Sequence, residues 1–483
     1  MEAEVAEGGR FRLTVYQAPA LLYLFVFGAP YLFLLSRYGF SSGLDEYTLR
    51  VLWFTLWQAA LSALLSLVGG FALLPAYLKT PWVKPLALIP FFAPALSTVD
   101  ALIRLHGDVM YSPWGIIIAH GVYYAPYVAL LLESNMRSMP ADLTEALDLY
   151  VRRLRTRLKI VLWELRPSIL YSLYTVFVFS FLSFTTPLLL GGRYPTLELL
   201  IYIYATSYAS TALASALVAL NLVATLALAA PLFRMRSPPP ADPAARPPKM
   251  GLLPTAVGLA ATGYYAVAAF YIFSPLLAPR GVAEVWPYVL NSILVAVVAA
   301  TGSLVLVLLF LMADGAGSRL PGVAYAVALS LSKSVFALGF FYLAQPLYGT
   351  LLILAAAHML VISPLAFSLA KPAWDKIRQD VRESCTLYLG PAKCVIRIVA
   401  ELLGPTIVQA WLIALASSLS ETTLALMLTT GASTTLSAMT AHLLTSRGPE
   451  LVETGHFYSS LLALLVLVTV ALSRLVKTRP FSF

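Results

Sequence analysis

Residues 119–170 read AHGVYYAPYVALLLESNMRSMPADLTEALDLYVRRLRTRLKIVLWELRPSIL, and residues 357–408 read AHMLVISPLAFSLAKPAWDKIRQDVRESCTLYLGPAKCVIRIVAELLGPTIV. The two stretches align without a gap at an offset of 238. Ala119/Ala357, His120/His358, Pro126/Pro364, Asp142/Asp380, Glu145/Glu383, Tyr150/Tyr388, Ile160/Ile398, Val161/Val399, Pro167/Pro405 and Ile169/Ile407 match. Apolar matches recur by chance in a leucine-rich chain, but His, Asp, Glu, Tyr and Pro do not recur in register by chance. The chain is therefore duplicated, and the repeat marks where function is to be sought.

Outward from the repeat, composition sets the class. Hydrophobic residues make up 60% of the chain and charged residues 11%, against about 45–50% and 25% in a soluble domain. Long apolar runs recur from end to end and predict an all-α polytopic membrane protein. Twelve spans are expected, near 15–36, 51–78, 83–105, 113–133, 167–190 and 198–231, then 251–279, 287–312, 321–344, 347–370, 405–428 and 456–476. They form two tandem homologous six-helix halves, residues 1–233 and 251–483, joined by a proline-rich cytoplasmic linker at 234–250. That linker, with its run of prolines, cannot be helical throughout. The run from Tyr16 to Leu35 is too long for a signal-peptide core and is expected to be a retained first helix.

The net charge of +9 does not point to nucleic acid, because its placement is topological. With both termini cytoplasmic, 25 of the 32 basic residues fall in cytoplasmic segments and six outside, with Lys333 within a span. The expected location is the cytoplasmic membrane. Cys385 and Cys394 both fall in a cytoplasmic loop, where a structural disulfide is not expected.

Each repeat carries a long cytoplasmic loop after its fourth span, about 137–166 and 371–404. Leu143, Leu147, Tyr150, Leu154 and Leu158 follow helical spacing and predict an apolar stripe. Gly390-Pro391 is expected to split the second copy into a short helix, a turn and another helix. Each loop ends at a proline, Pro167 or Pro405, which is expected to open the next span.

These loops resemble the EAA loop of ABC-importer permeases. Glu145-Ala146-Leu147 and Glu383-Ser384-Cys385 stand where the Glu-Ala-Ala would, and Leu389-Gly390 where the Leu-Gly would, one residue further on. The first copy has Val151-Arg152 in place of the glycine, and neither keeps both alanines. Residues 112–132, 180–202 and 351–370 are similar to segments of fused permeases for ferric iron and thiamine. The resemblance implies the ABC type I importer architecture, with Asp142, Glu145, Ala146, Asp380, Glu383, Ser384 and Gly390 contacting an ATPase. It also implies two copies of a nucleotide-binding subunit and an extracytoplasmic substrate-binding protein. The cargo would be a small molecule or ion, such as ferric iron, thiamine or a similar small solute. No G-x-x-x-x-G-K-[ST] occurs, so ATP and Mg are expected on the partner, and no cofactor in this chain.

Within the expected spans, Lys333 and Glu421 are costly unless paired or facing a polar cavity, and read as path or gate residues, as a structural ion pair, or as lying just past a span end. Thr185, Thr186, Thr422 and Thr423 are candidates for path hydroxyls or for back-bonding to their own helices. The external turn Gly191, Gly192, Arg193, Tyr194 is either a binding-protein contact or an ordinary turn. His120 and His358 read as packing or hydrogen-bonding residues, and His442 and His456, beside Glu450 and Glu453, lack a metal-ligand spacing. The competing class is an ion-coupled secondary transporter with 6+6 helices, against which stands the scarcity of acidic residues in the spans. A membrane enzyme is disfavoured because no clustered carboxylates or nucleophile–base arrangement is evident.

Overall fold

The computed structural model of the chain describes residues 2–38, 45–151, 153–192, 194–207, 211–232 and 251–476; the 234–250 segment and Arg193 lie outside them. In the first half the helices are α1 (Glu2–Tyr38), α2 (Glu46–Lys79), α3 (Lys84–Phe92), α4 (Ala95–His106) and α5 (Pro113–Met136). They are followed by α6 (Ala141–Leu149), α7 (Leu154–Phe181), α8 (Thr185–Leu190), α9 (Leu197–Ser207) and α10 (Thr211–Leu232). The second half runs α11 (Leu252–Phe273), α12 (Trp286–Gly315), α13 (Leu320–Ser330), α14 (Lys333–Leu343) and α15 (Leu351–Asp375). It ends with α16 (Gln379–Leu389), α17 (Pro391–Ile398), α18 (Gly404–Leu419), α19 (Thr423–Leu428), α20 (Leu436–Leu444) and α21 (Pro449–Leu475).

The spacing of the sequence repeat carries into the helices. Helices α4, α5, α6, α8 and α10 start 238 residues before α14, α15, α16, α19 and α21. Among the described residues eight helices are long and apolar enough to cross a membrane, and ten when each sharply bent pair counts as one span. The protein is thus an all-α, multi-pass membrane protein, with several of the twelve expected spans built as interrupted helices. The expected spans at 83–105 and 321–344 are bent by 101° and 100°. Those at 167–190 and 405–428 break into α7/α8 and α18/α19.

The breaks fall at equivalent positions but have different local chemistry. At the first, Ala93 and Pro94 are extended, because the residue before a proline is pushed out of the helical region. At the second, Leu331 and Ser332 are extended, and the Ser332 hydroxyl accepts the Val335 N–H at 3.2 Å as an N-cap. Hydropathy reads such a segment as one span because a break changes direction, not composition.

The first helix of each half packs on the other half. Tyr23 of α1 donates its hydroxyl to the Leu360 carbonyl of α15 at 2.8 Å, and Tyr31 to the Ser332 carbonyl at 2.5 Å. Phe27 stacks on Phe336 with ring centroids 4.8 Å apart. Reciprocally, Tyr265 of α11 donates to the Val122 carbonyl of α5 at 2.7 Å. These buried aromatics fill apolar space while their hydroxyls find carbonyl acceptors, as buried Tyr requires.

At the ends of α5 and α15 the repeat keeps an ion pair in place while inverting its sign. Glu133 pairs with Arg137 at 2.8 Å and with Lys84; at the matching positions Lys371 pairs with Asp375 at 2.5 Å and with Asp314 at 3.3 Å. The i,i+4 spacing makes these helical neighbours in either orientation.

Candidate functional site

Two features stand out: a pair of exposed loops at one end of the bundle and a cavity between the helix breaks. In the loops, α6 and α16 are short helices packed on their neighbours by one face. Leu147 is buried, whereas Leu149 and Tyr150 are exposed, Tyr150 at 82%. Leu387 and Tyr388 are their counterparts, with Tyr388 at 84%. The expected single stripe through Tyr150 to Leu158 is therefore corrected: α6 stops at Leu149, and Tyr150 and Leu158 both point into the open. The first loop turns here even without a glycine. In the second loop the turn is at Gly390, whose φ of 77° lies in the left-handed region that glycine tolerates best.

Asp142 and Asp380 sit in the first turns of α6 and α16, where a carboxylate favours the helix dipole. The Arg378 guanidinium, hydrogen-bonded to Asp380 at 2.6 Å, holds that carboxyl below its ordinary range. Glu145, Glu383 and Ser384 are exposed, and Ala146 and Gly390 half-buried. Two expectations fail in this region. Pro167 lies inside a continuous α7 rather than opening a span, while Pro405 does open α18, after a π-helical turn at Val399–Leu403. Cys385 and Cys394 form a disulfide, because the Gly390 turn folds α17 back and sets their Cα atoms 5.5 Å apart.

The cavity, about 390 Å³, is walled by both breaks of each half. Its lining pairs across the repeat: Ala95 with Lys333, Tyr123 with Val361, Tyr124 with Ile362, Phe179 with Ser417, Ser183 with Glu421, and Phe184 with Thr422. Lys333 Nζ donates to Glu421 Oε2 at 2.6 Å, so the two intramembrane charges are paired and also face a cavity. Glu421 Oε1 accepts the backbone N–H groups of Thr423 at 3.0 Å and Leu424 at 3.4 Å. Thr185, Thr422 and Thr423 line the cavity; Thr186 is buried away from it.

The two repeated histidines are buried beside this wall. His120 Nε2 lies 2.9 Å from Ser183 Oγ, and His358 Nδ1 lies 2.8 Å from Ser418 Oγ, which is the hydrogen-bonding role expected of them. The Gly191 carbonyl accepts the Tyr194 N–H at 2.9 Å, and Gly192 and Tyr194 are exposed.

Two acidic residues escaped the sequence reading. Glu198, just past the Gly- and Pro-containing stretch, is fully buried and accepts from Ser332 Oγ at 2.8 Å and Asn221 Nδ2 at 3.0 Å, tying α9 and α10 to the second helix break. Asp100 is buried in α4 and bonds both Arg104, at 3.2 Å, and His456 Nδ1 of α21, at 2.6 Å. His456 thus has a carboxylate partner, and among the described residues no group of three or more His, Cys, Asp or Glu is placed to hold a metal.

An all-helical bundle with interrupted spans, a cavity between the helix breaks and paired exposed loops defines a polytopic membrane protein, and the comparisons set it beside named permeases. The chain is 30% identical over 186 residues to a thiamine transport system permease protein of Haemophilus influenzae, covering 33% of this chain and 34% of that one. It is 29% identical over 183 residues to the thiamine transport system permease protein of Escherichia coli, covering 33% and 34%. Over 116 residues, 24% of this chain and 18% of the other, it is 34% identical to a Haemophilus influenzae permease protein named for ferric transport. The matches span about a third of the length of the thiamine permeases. No family model matches the chain. The relatives that sequence comparison finds are thus named as thiamine and ferric transport permeases, the kind that segments of this sequence resemble.

Proposed function

We propose that the chain is the transmembrane permease subunit of an ATP-driven importer. It would pass a small solute, of the ferric iron or thiamine kind or similar, from an extracytoplasmic binding protein to the cytoplasm. The observation that carries this reading is the equivalent exposure of Leu149-Tyr150 and Leu387-Tyr388 beside acidic α6 and α16. Large apolar side chains bared in pairs at matching points are suited to two copies of one partner. That partner is an ATPase subunit, holding ATP and Mg; this chain serves as a non-enzymatic transport subunit.

Residues 1–233 and 251–483 then act as two halves, with 234–250 as linker. Both termini and both loops face the cytoplasm. Asp142, Glu145, Ala146, Asp380, Glu383, Ser384 and Gly390 form the two coupling surfaces. ATPase closure draws α6 and α16 together, and the cavity opens to one side at a time by alternating access. The outer turn at 191–194 is the docking point for the binding protein.

The test is reconstitution with the candidate ATPase and binding protein, comparing wild type with Glu145→Arg plus Glu383→Arg. Hydrolysis stimulated by the binding protein is expected to be lost in a variant that remains folded. Uptake driven by a proton or sodium gradient, with no ATPase association, would overturn the reading in favour of a secondary carrier.

A further inference from the structure

The cavity between the helix breaks is symmetric in position and asymmetric in chemistry. The first half supplies rings: Phe92, Tyr123, Tyr124, Phe179 and Phe184. Three of them adjoin, Tyr123 and Tyr124 4.9 Å apart edge-on and Tyr124 and Phe179 5.9 Å apart. The second half supplies hydroxyls and both charges of the lining, Lys333 and Glu421; their counterparts in the first half are Ala95 and Ser183.

The charges are not equally available. Glu421 keeps 6% of its side chain exposed and Lys333 52%. Both carboxylate oxygens are engaged, Oε2 by the lysine and Oε1 by two backbone N–H groups. An ammonium has three N–H donors, and Glu421 takes one. The pair thus presents its positive end to the cavity, with donor capacity unspent.

We propose that this cavity binds a small, flat organic anion, its carboxylate or phosphate on Lys333 and its ring against the Tyr123–Tyr124 wall. The inference rests on the permease reading and moves its cargo away from ferric iron and thiamine, both cations, to another small solute, an anion. A cavity of about 390 Å³ is within the range that holds a small organic ligand. A bare multivalent cation would meet one carboxylate, already engaged, and an ammonium beside it. A charge-assisted hydrogen bond to the ligand contributes about 1.5–3 kcal/mol, which is roughly ten- to a hundredfold in affinity.

The test uses the full chain in phosphatidylcholine nanodiscs, which lack anionic headgroups, with binding measured by calorimetry. The probes are phenyl phosphate, benzoate and, as the opposite charge, benzyltrimethylammonium. Saturable binding of phenyl phosphate or benzoate is expected, and the preferred one identifies the anionic group. It should weaken at least about tenfold in Lys333→Gln plus Glu421→Gln, which leaves no lone buried charge, and survive in Lys333→Arg. Tyr124→Leu should weaken it as well. Saturable benzyltrimethylammonium binding to the wild type that is tighter than that of either anion would overturn the proposal, as would no saturable binding of any probe. ATPase association is measured on the same preparation. Association without probe binding sinks the cargo inference alone, and probe binding without association sinks the permease reading alone.

Discussion

Replacing Gly339 by alanine is expected to loosen the contact that holds α1 to the other half of the bundle. A Cβ at residue 339 would lie 2.6 Å from the carbonyl carbon and the Cβ of Pro30, and against its carbonyl oxygen. Carbon atoms rest about 3.5–4.0 Å apart, so α1 and α14 must separate by roughly 1 Å. A gap of that size forfeits about a quarter to a half of each contact well across the interface that includes the Phe27–Phe336 stack. Overpacking of this kind costs about 1–3 kcal/mol, and the helix propensity of alanine returns up to about 1 kcal/mol. Gly263, inside α11 with nothing within 4 Å of its missing Cβ, is the matched control, where alanine should only gain. The thermal unfolding midpoint, followed by intrinsic fluorescence in nanodiscs, should fall for Gly339→Ala and hold or rise for Gly263→Ala. Because α14 begins at Lys333, the first variant should also weaken cavity binding. Equal midpoints for the two variants would refute the packing argument.

Glu133→Gln leaves Lys84 and Arg137 facing each other without a counter-charge. Loss of one partner from a fully buried pair costs about 3–5 kcal/mol, and with these two side chains 22% and 19% exposed a smaller drop is expected in chemical unfolding. No change in midpoint would mean that the two cations are solvated. Cys385→Ser, or reduction, opens a nine-residue separation whose closure contributes about 2.6 kcal/mol by chain entropy, so amide exchange over 379–398 should quicken; unchanged exchange would show that the disulfide does not brace the loop. Asp380 keeps its lowered ionisation range through Arg378, so the pair's contribution is full above the ordinary carboxylate range and fades as pH falls through the lowered one. An NMR titration should see the Asp380 midpoint rise in Arg378→Gln, and an unmoved midpoint would remove the guanidinium as the cause.

Much of the architecture was legible because the repeat is written in side chains that chance does not align. His120/His358 and Asp142/Asp380 fixed the register that α5/α15 and α6/α16 then follow. The helix breaks were not legible: Pro94 marks one, but its counterpart is Ser332, whose capping role depends on backbone direction. Lys333 and Glu421 could be picked out as costly, yet they lie 88 residues apart and only the fold brings them together. Glu198 was hidden by its setting, a Gly- and Pro-containing stretch that reads as an exposed turn. A cytoplasmic placement predicts free thiols at Cys385 and Cys394, whereas the Gly390-Pro391 turn is the local feature that brings the two close.

The crossing of the first helices bears on how the protein is made. As the chain emerges in order, α11 enters a membrane in which its partner α5 is already present. Helix α1 has no such welcome: the acceptor for Tyr23 lies 337 residues downstream and that for Tyr31 lies 301 downstream. During synthesis α1 must therefore wait in the lipid with its aromatic face unmatched until α14 and α15 are inserted. The entropic penalty of closing so long a loop rises only with the logarithm of its length, so the delay is chiefly one of time. The assembly of the first half is completed last, by residues from the second.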